Sequence, residues 1–261
     1  MKRCIYFMLI LTFCVSELSA RVIKSHVLLN GSTIPAEYTV LSDKTVGLGS
    51  GHNASISQYT KGRVTVPSQI TYDGKTYNVT QLMPLAFRLC NSIGVVIIQE
   101  GVTHIGDFAF AGCSSLLEVE MPSTMQSVAT GAFIGAQNLM YVICKAETPP
   151  TWEYNDVFLY HEGGISDPQA QHFQRKVVLY VPYGLESTYQ GSKYTKPELG
   201  WNTPEGWGTT FTEIKGSSMK GFRLYAPDDL WLLRLMVNNL GEYGNAEEIY
   251  LEGDIDMADS V

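Results

Sequence analysis

Residues 102–122 read VTHIGDFAFAGCSSLLEVEMP, and this stretch decides the fold. Val119 and Met121 alternate with Glu118 and Glu120, which predicts a short strand with one buried face. Pro122 ends it, because proline brings no amide hydrogen to a strand ladder. Val102 and Ile105 form a second inward pair. Ala109 and Phe110 then send a small residue and a ring into the interior. Gly112 lets the chain turn back, since glycine adopts left-handed backbone angles without steric cost.

Working outward, the same pattern returns every 23 residues. Phe87, Phe110 and Phe133 obey this offset, as do Ala86, Ala109 and Ala132. So do Val79, Val102 and Met125, and Leu82, Ile105 and Val128. Ile93, Leu116 and Leu139 form a further column, and Val96, Val119 and Val142 another. A unit this short cannot bury its own apolar side, but stacked units can. The expectation is therefore a mostly β, right-handed solenoid of about three turns, with parallel strands roughly 4.8 Å apart. Phe87, Phe110 and Phe133 form its core ladder. Cys90 and Cys113 share one column whose third occupant is Ala136. Their α-carbons are expected to lie close enough for a bridge, or both serve as free, buried, small apolar residues. Ala136 in the same slot favours the second reading, and both stay open.

The run VTxIGxxAFxxCxxLxxVxIP is the pattern of BspA-like leucine-rich repeat proteins, and residues 102–122 resemble it almost without departure. Residues 64–87 are similar to a first repeat of that family. They depart from it at Met83-Pro84, where the pattern has Gly and a polar residue. KAETPPTW (145–152) resembles the exit from such an array. VVLYVPYGLESTYQ (177–190), followed by Trp207, Phe211 and Ile214, is similar to the terminal unit that often follows. The resemblance covers 21–216. It implies a leucine-rich-repeat solenoid on a cell-surface or secreted protein of anaerobic or host-associated bacteria. It also implies a role in binding or adhesion, and it does not specify a ligand.

Residues 1–20 carry Lys2 and Arg3, an apolar run from Ile5 to Val15, and small residues ending at Ala20. That is the layout of a secretory signal peptide, and the apolar run is shorter than a membrane span needs. The expected organisation continues with an N-terminal β cap over 21–60 and BspA-type repeats over 61–145. A loop excursion and C-terminal capping unit occupy 146–216. Residues 217–261 read as a helix-strand segment, with a helix over 228–240 that starts at Asp228-Asp229 and a strand over 249–257 (IYLEGDIDM), expected to be a truncated second domain.

The chain has 261 residues, 45% of them apolar and 17% charged, with 24 glycines and 15 tyrosines. That apolar share supports a sizeable core and excludes wholesale disorder. A net charge of −8, without any basic run, argues against nucleic acid or anionic lipid as partner. Beyond the leader only Cys90, Cys113 and Cys144 remain, too few for a disulfide scaffold. No catalytic residues are expected: no GxSxG, HExxH or P-loop pattern occurs. The five histidines have no ligand spacing, and His104 falls in an outward column beside Gln81 and Ser127. Asp254, Asp256 and Asp259 could offer oxygen ligands to calcium, but they lack a turn glycine and a distal glutamate. No metal and no cofactor are expected. Asn30, Asn53 and Asn78 lie in N-x-S/T triplets, and Asn30-Gly31 is equally a turn.

What remains is surface. The outward strand positions read Val95 and Ile97, then Glu118 and Glu120, then Tyr141 and Ile143. Exposed Val, Ile and Tyr on a flat sheet are unusual unless covered, and the 146–176 excursion is one possible cover. The alternative is a partner-binding face, with Tyr141 as aromatic anchor and the glutamates, read as facing water, selecting basic groups. The partner would be an extracellular protein or a glycan. Two other roles stay open. One is a structural spacer presenting a C-terminal module. The other is a carbohydrate-binding accessory protein using Trp152, Trp201 or Trp207.

Overall fold

The strand around Val119 is one rung of a long parallel ladder. The computed structural model describes residues 21–152 and 177–192 without a break. It also describes 159–160, 171–172, 194–196, 201–205, 207, 211, 213–217, 222–224 and 249–251. The strands, in chain order, begin with β1 (Val22–Leu29), β2 (Ser32–Val40), β3 (Thr45–Leu48), β4 (Gly62–Val66), β5 (Gln69–Tyr72) and β6 (Lys75–Leu82). They continue with β7 (Ile93–Ile98), β8 (His104–Ile105), β9 (Glu118–Met121), β10 (Ser127–Val128), β11 (Tyr141–Cys144) and β12 (Thr151–Trp152). β13 (Leu159–Tyr160), β14 (Gln171–His172) and β15 (Val178–Pro182) precede the helix α1 (Glu186–Gly191). β16 (Tyr194–Lys196), β17 (Trp201–Glu205), β18 (Glu213–Ser217), β19 (Phe222–Leu224) and β20 (Ile249–Leu251) complete the set.

Two parallel stacks organise these strands. One, the long-strand stack, has rungs of four to six residues and runs β4-β7-β9-β11-β15-β18; the other runs β3-β6-β8-β10-β12, and its rungs β8, β10 and β12 have two residues each. In the first stack Val96 pairs with Val119 and Val119 with Val142. In the second Leu82 pairs with Ile105 and Ile105 with Val128. The sequence offset is thus the rung spacing.

The starting edge is closed by a hairpin. β1 and β2 pair antiparallel through Asn30 and Gly31, whose φ values of 50° and 75° match the left-handed pair that tight hairpins use. β1 then pairs antiparallel with β4 and β2 with β3. The hairpin therefore bridges both stacks and protects their first strands from stray pairing. Asn30 also accepts a hydrogen bond from the Arg63 amide at 2.8 Å, so its side chain is part of the cap. After β3 the chain imitates a turn of the array. The Ser55 amide and hydroxyl donate to the Ala86 carbonyl at 2.7 and 2.8 Å, much as the Phe87 amide donates to Ala109 at 2.6 Å.

This cap explains the departure at Met83-Pro84. A Cβ on Gly47 would sit 2.5 Å from the Met83 sulfur. The Met83 side chain therefore fills space that the cap leaves open. One rung later the family glycine returns as Gly106. There a Cβ would lie 2.7 Å from the Pro84 nitrogen and 2.8 Å from the Leu82 carbonyl oxygen.

On the third side, Phe87, Phe110 and Phe133 stack with ring centroids 5.1 and 5.0 Å apart and planes within 7°. Every turn places two residues in the left-handed region. One column is Leu85, Phe108 and Gly131, at φ 64°, 54° and 56°, and the other is Leu89, Gly112 and Gly135, at 60°, 72° and 74°. Cys90, Cys113 and Cys144 are free and buried. The Cys113 thiol donates to the Phe87 carbonyl at 3.0 Å. Burial pushes the Cys90 thiol up to about 12 and Cys113 higher still, so both stay protonated.

At the other end an aromatic cluster seals the core. Trp207 meets Trp152 edge-on at 5.7 Å, Tyr189 at 5.8 Å and Phe211 in a stack at 5.7 Å. Trp207 Nε1 donates to the Pro150 carbonyl, and the Tyr189 hydroxyl, from α1, to the Ala146 carbonyl, both at 2.7 Å. Most of the 146–176 excursion lies outside the described residues. So does the expected helix at 228–240. Of the expected strand at 249–257 only β20 is described, paired parallel with β19.

Candidate functional site: the outer face of the long-strand stack

Alternation in each long strand sends one set of side chains into the main core and the other outward. Strand register sorts the outward set into two columns. The first runs Arg63, Val95, Glu118, Tyr141, Val178, Glu213. The second runs Thr65, Ile97, Glu120, Ile143, Tyr180, Lys215. All six residues singled out from the sequence lie on this one face, three in each column.

The two columns differ in exposure. Val95 is 0% exposed, Glu118 6% and Tyr141 8%, so the first column is sealed at its centre. Ile97, Glu120 and Ile143 are half-buried. Val95, Tyr141, Val178 and Tyr180 form an apolar cluster of their own, with Ile97, Leu117, Met140 and Ile143 packed against it. Tyr141 and Tyr180 lie 6.0 Å apart in a tilted pair. The expectation that both glutamates face water therefore needs correcting. Glu118 points away from the main core but into this second apolar layer.

The carboxylates consequently behave differently. Glu120 is ion-paired with Lys145. Glu118 is held up at about 7 by burial first, then by repulsion from Glu120, with Arg63 pulling the other way. Lys215 and Glu213 form a further pair at 3.0 Å.

Arg63, Lys145, Tyr180 and Lys215 belong to this face and escaped the sequence reading. A fixed 23-residue comparison skips β4, β15 and β18, because their distances along the chain from β7 and β11 differ from the repeat. The alternation in VVLYVP, aligned on YVIC rather than on the offset, is the signal that finds Tyr180.

The other residues weighed from the sequence fall elsewhere. His104 is exposed, with Nδ1 2.5 Å from the Thr103 hydroxyl. Trp152 and Trp207 are core residues of the C-terminal seal. The side chain of Trp201 and Asp254, Asp256 and Asp259 lie outside what the structure describes. Among the described residues no group of three or more His, Cys, Asp or Glu is placed to hold a metal.

Stacked parallel rungs of this length define a leucine-rich-repeat solenoid. The family model described as BspA type Leucine rich repeat region matches residues 67–150 in 6 copies, the stretch that holds the repeat array. Among solved structures, the chain is similar to a T. pallidum leucine-rich repeat protein at 22% identity and TM-score 0.35, over 42% of this chain and 50% of that one. It is similar to a leucine-rich repeat protein from Bacteroides capillosus at 23% identity and TM-score 0.37, over 56% of this chain and 93% of that one. It is also similar to a leucine rich cell surface protein from Faecalibacterium prausnitzii at 14% identity and TM-score 0.31, over 75% and 55%. The chain thus spans half the length of the T. pallidum protein. No curated protein is similar enough to count as a relative.

Proposed function

We propose that this is an exported, cell-surface or secreted protein that binds another extracellular macromolecule, without catalysis, through the outer face of its long-strand stack. The observation that carries the reading is the second outward column. Ile97, Glu120 and Ile143 stand half-open in successive rungs, flanked by Lys145 and Lys215. A stripe in which Ile97 and Ile143 flank the Glu120–Lys145 ion pair suits a protein partner, whose apolar groups meet the isoleucines while the charges set register. The export layout of residues 1–20 supports the location. Among the described residues no helix is long and apolar enough to cross a membrane.

The test uses residues 21–261 of the chain, immobilised and offered host extracellular proteins and glycans. A saturable protein ligand is expected, and the double change Ile97→Ser with Ile143→Ser should weaken it at least tenfold while the circular dichroism spectrum is unchanged. Equal binding by the double variant removes this face as the site. Capture of nothing saturable favours a spacer, and capture confined to glycans favours a carbohydrate-binding role.

A further inference from the structure

We propose that Glu118 is a proton-binding switch that sets how tightly the sealed column of the outer face packs. The switch acts on the packing of the face and not on what docks there.

The geometry is unusual for a surface strand. Glu118 is 6% exposed, and its column neighbours are Val95 on one side and Tyr141 on the other. No described residue gives its carboxyl a hydrogen bond. A buried carboxylate without donors carries a large desolvation cost, which the neutral acid avoids. Among the described residues, the charged and titratable groups around it do not remove that cost. Glu120, on the same strand, repels a second negative charge, and its own cation Lys145 is already engaged. β7 contributes no titratable side chain. Arg63, on β4, attracts, but its pull is the smallest of the three influences on the carboxyl. On β11 and β15 the facing groups are Tyr141 and Tyr180. On β18 Glu213 and Lys215 pair with each other. The proton is therefore held until the pH approaches neutrality.

The sign follows from linkage. The folded carboxyl titrates near 7 and the ordinary one near 4.5. Between those values the folded chain keeps a proton that the unfolded chain has released, so stability falls as pH rises through that window and levels off above it. Once ionised, Glu118 must draw water or a cation into the column, and the packing of Val95 and Tyr141 loosens.

The experiment measures denaturant unfolding of residues 21–261 between pH about 5 and 9 for wild type, Glu118→Gln and Glu120→Gln. In wild type the unfolding constant should rise relative to Glu118→Gln by up to about tenfold per pH unit through the window. Glu120→Gln should keep most of the wild-type slope. Parallel slopes for wild type and Glu118→Gln overturn the proposal. If Glu118→Gln does not fold, carbon-13 labelling of the glutamate carboxyls in wild type replaces it. One resonance should titrate near neutral pH, and titration of every glutamate in the ordinary acidic range overturns the proposal.

Discussion

Replacing Phe110 by alanine is the sharpest probe of the array. Its ring is fully buried and sandwiched between Phe87 at 5.1 Å and Phe133 at 5.0 Å. Truncating a buried phenylalanine costs about 3–5 kcal/mol. Each stacked pair contributes a further ~0.5–1.5 kcal/mol beyond area, and Phe110 sits in two such pairs. The expected loss therefore lies at the upper end, about 4–5 kcal/mol. Phe87→Ala, which breaks one stacked pair among the described residues, should cost about 1 kcal/mol less on the same reasoning. His104→Ala, at an exposed position, should stay within about 0.5 kcal/mol of wild type. Urea unfolding followed by circular dichroism gives both midpoint and slope. If the turns unfold as one unit, the midpoint drops and the slope holds; a shallower slope shows that the array has split at the damaged rung. A loss below about 2 kcal/mol for Phe110→Ala, or equality with His104→Ala, would refute the idea that the ladder carries the fold.

Gly106→Ala should cost about 1–3 kcal/mol in the same assay, because the new Cβ would press on backbone atoms at 2.7–2.9 Å that no rotamer change can move. Gly191→Ala, with nothing within 4 Å, should be neutral or slightly stabilising, and equal effects at the two positions would contradict the packing. Tyr189→Phe removes the donor to the Ala146 carbonyl and should cost about 1–3 kcal/mol by leaving a buried acceptor unsatisfied; an unchanged midpoint would argue against that bond. The thiols of Cys90, Cys113 and Cys144 should resist a thiol-specific reagent in the folded protein and all react after denaturation, since burial suppresses each thiolate. Fast labelling of the native protein would contradict the buried placement.

The sequence discloses the fold wherever one physical requirement recurs at fixed spacing. The Phe87, Phe110 and Phe133 column, the valine column at 96, 119 and 142 and the glycines at 112 and 135 all answer the same demand from one rung to the next. Where the demand changes, the pattern breaks and the offset goes silent. Met83 stands in the family's glycine slot because its neighbour is the cap at Gly47 and not another repeat. Leu85 and Phe108 take left-handed angles that Gly131 adopts freely, so glycine spacing alone does not locate that turn. β15 and β18 extend the same stack, yet their distance from β11 follows connections of other lengths.

The face was less legible than the fold for a different reason. Alternation along a strand reports which way a side chain points, and it carries no information about what lies over it. Val95 and Ile97 look equivalent in sequence, and so do Glu118 and Glu120. In the structure one member of each pair is sealed and the other half-open. The difference arises across the stack, where Val95 and Tyr141 join Val178 and Tyr180 in a second apolar layer. A carboxylate two residues from its twin can therefore sit in a different dielectric. Glu120 faces Lys145 and keeps an ion pair, whereas Glu118 lies between a valine and a tyrosine and holds its proton toward neutral pH. The chemistry of this face is thus set by the column in which a residue stands as much as by its identity.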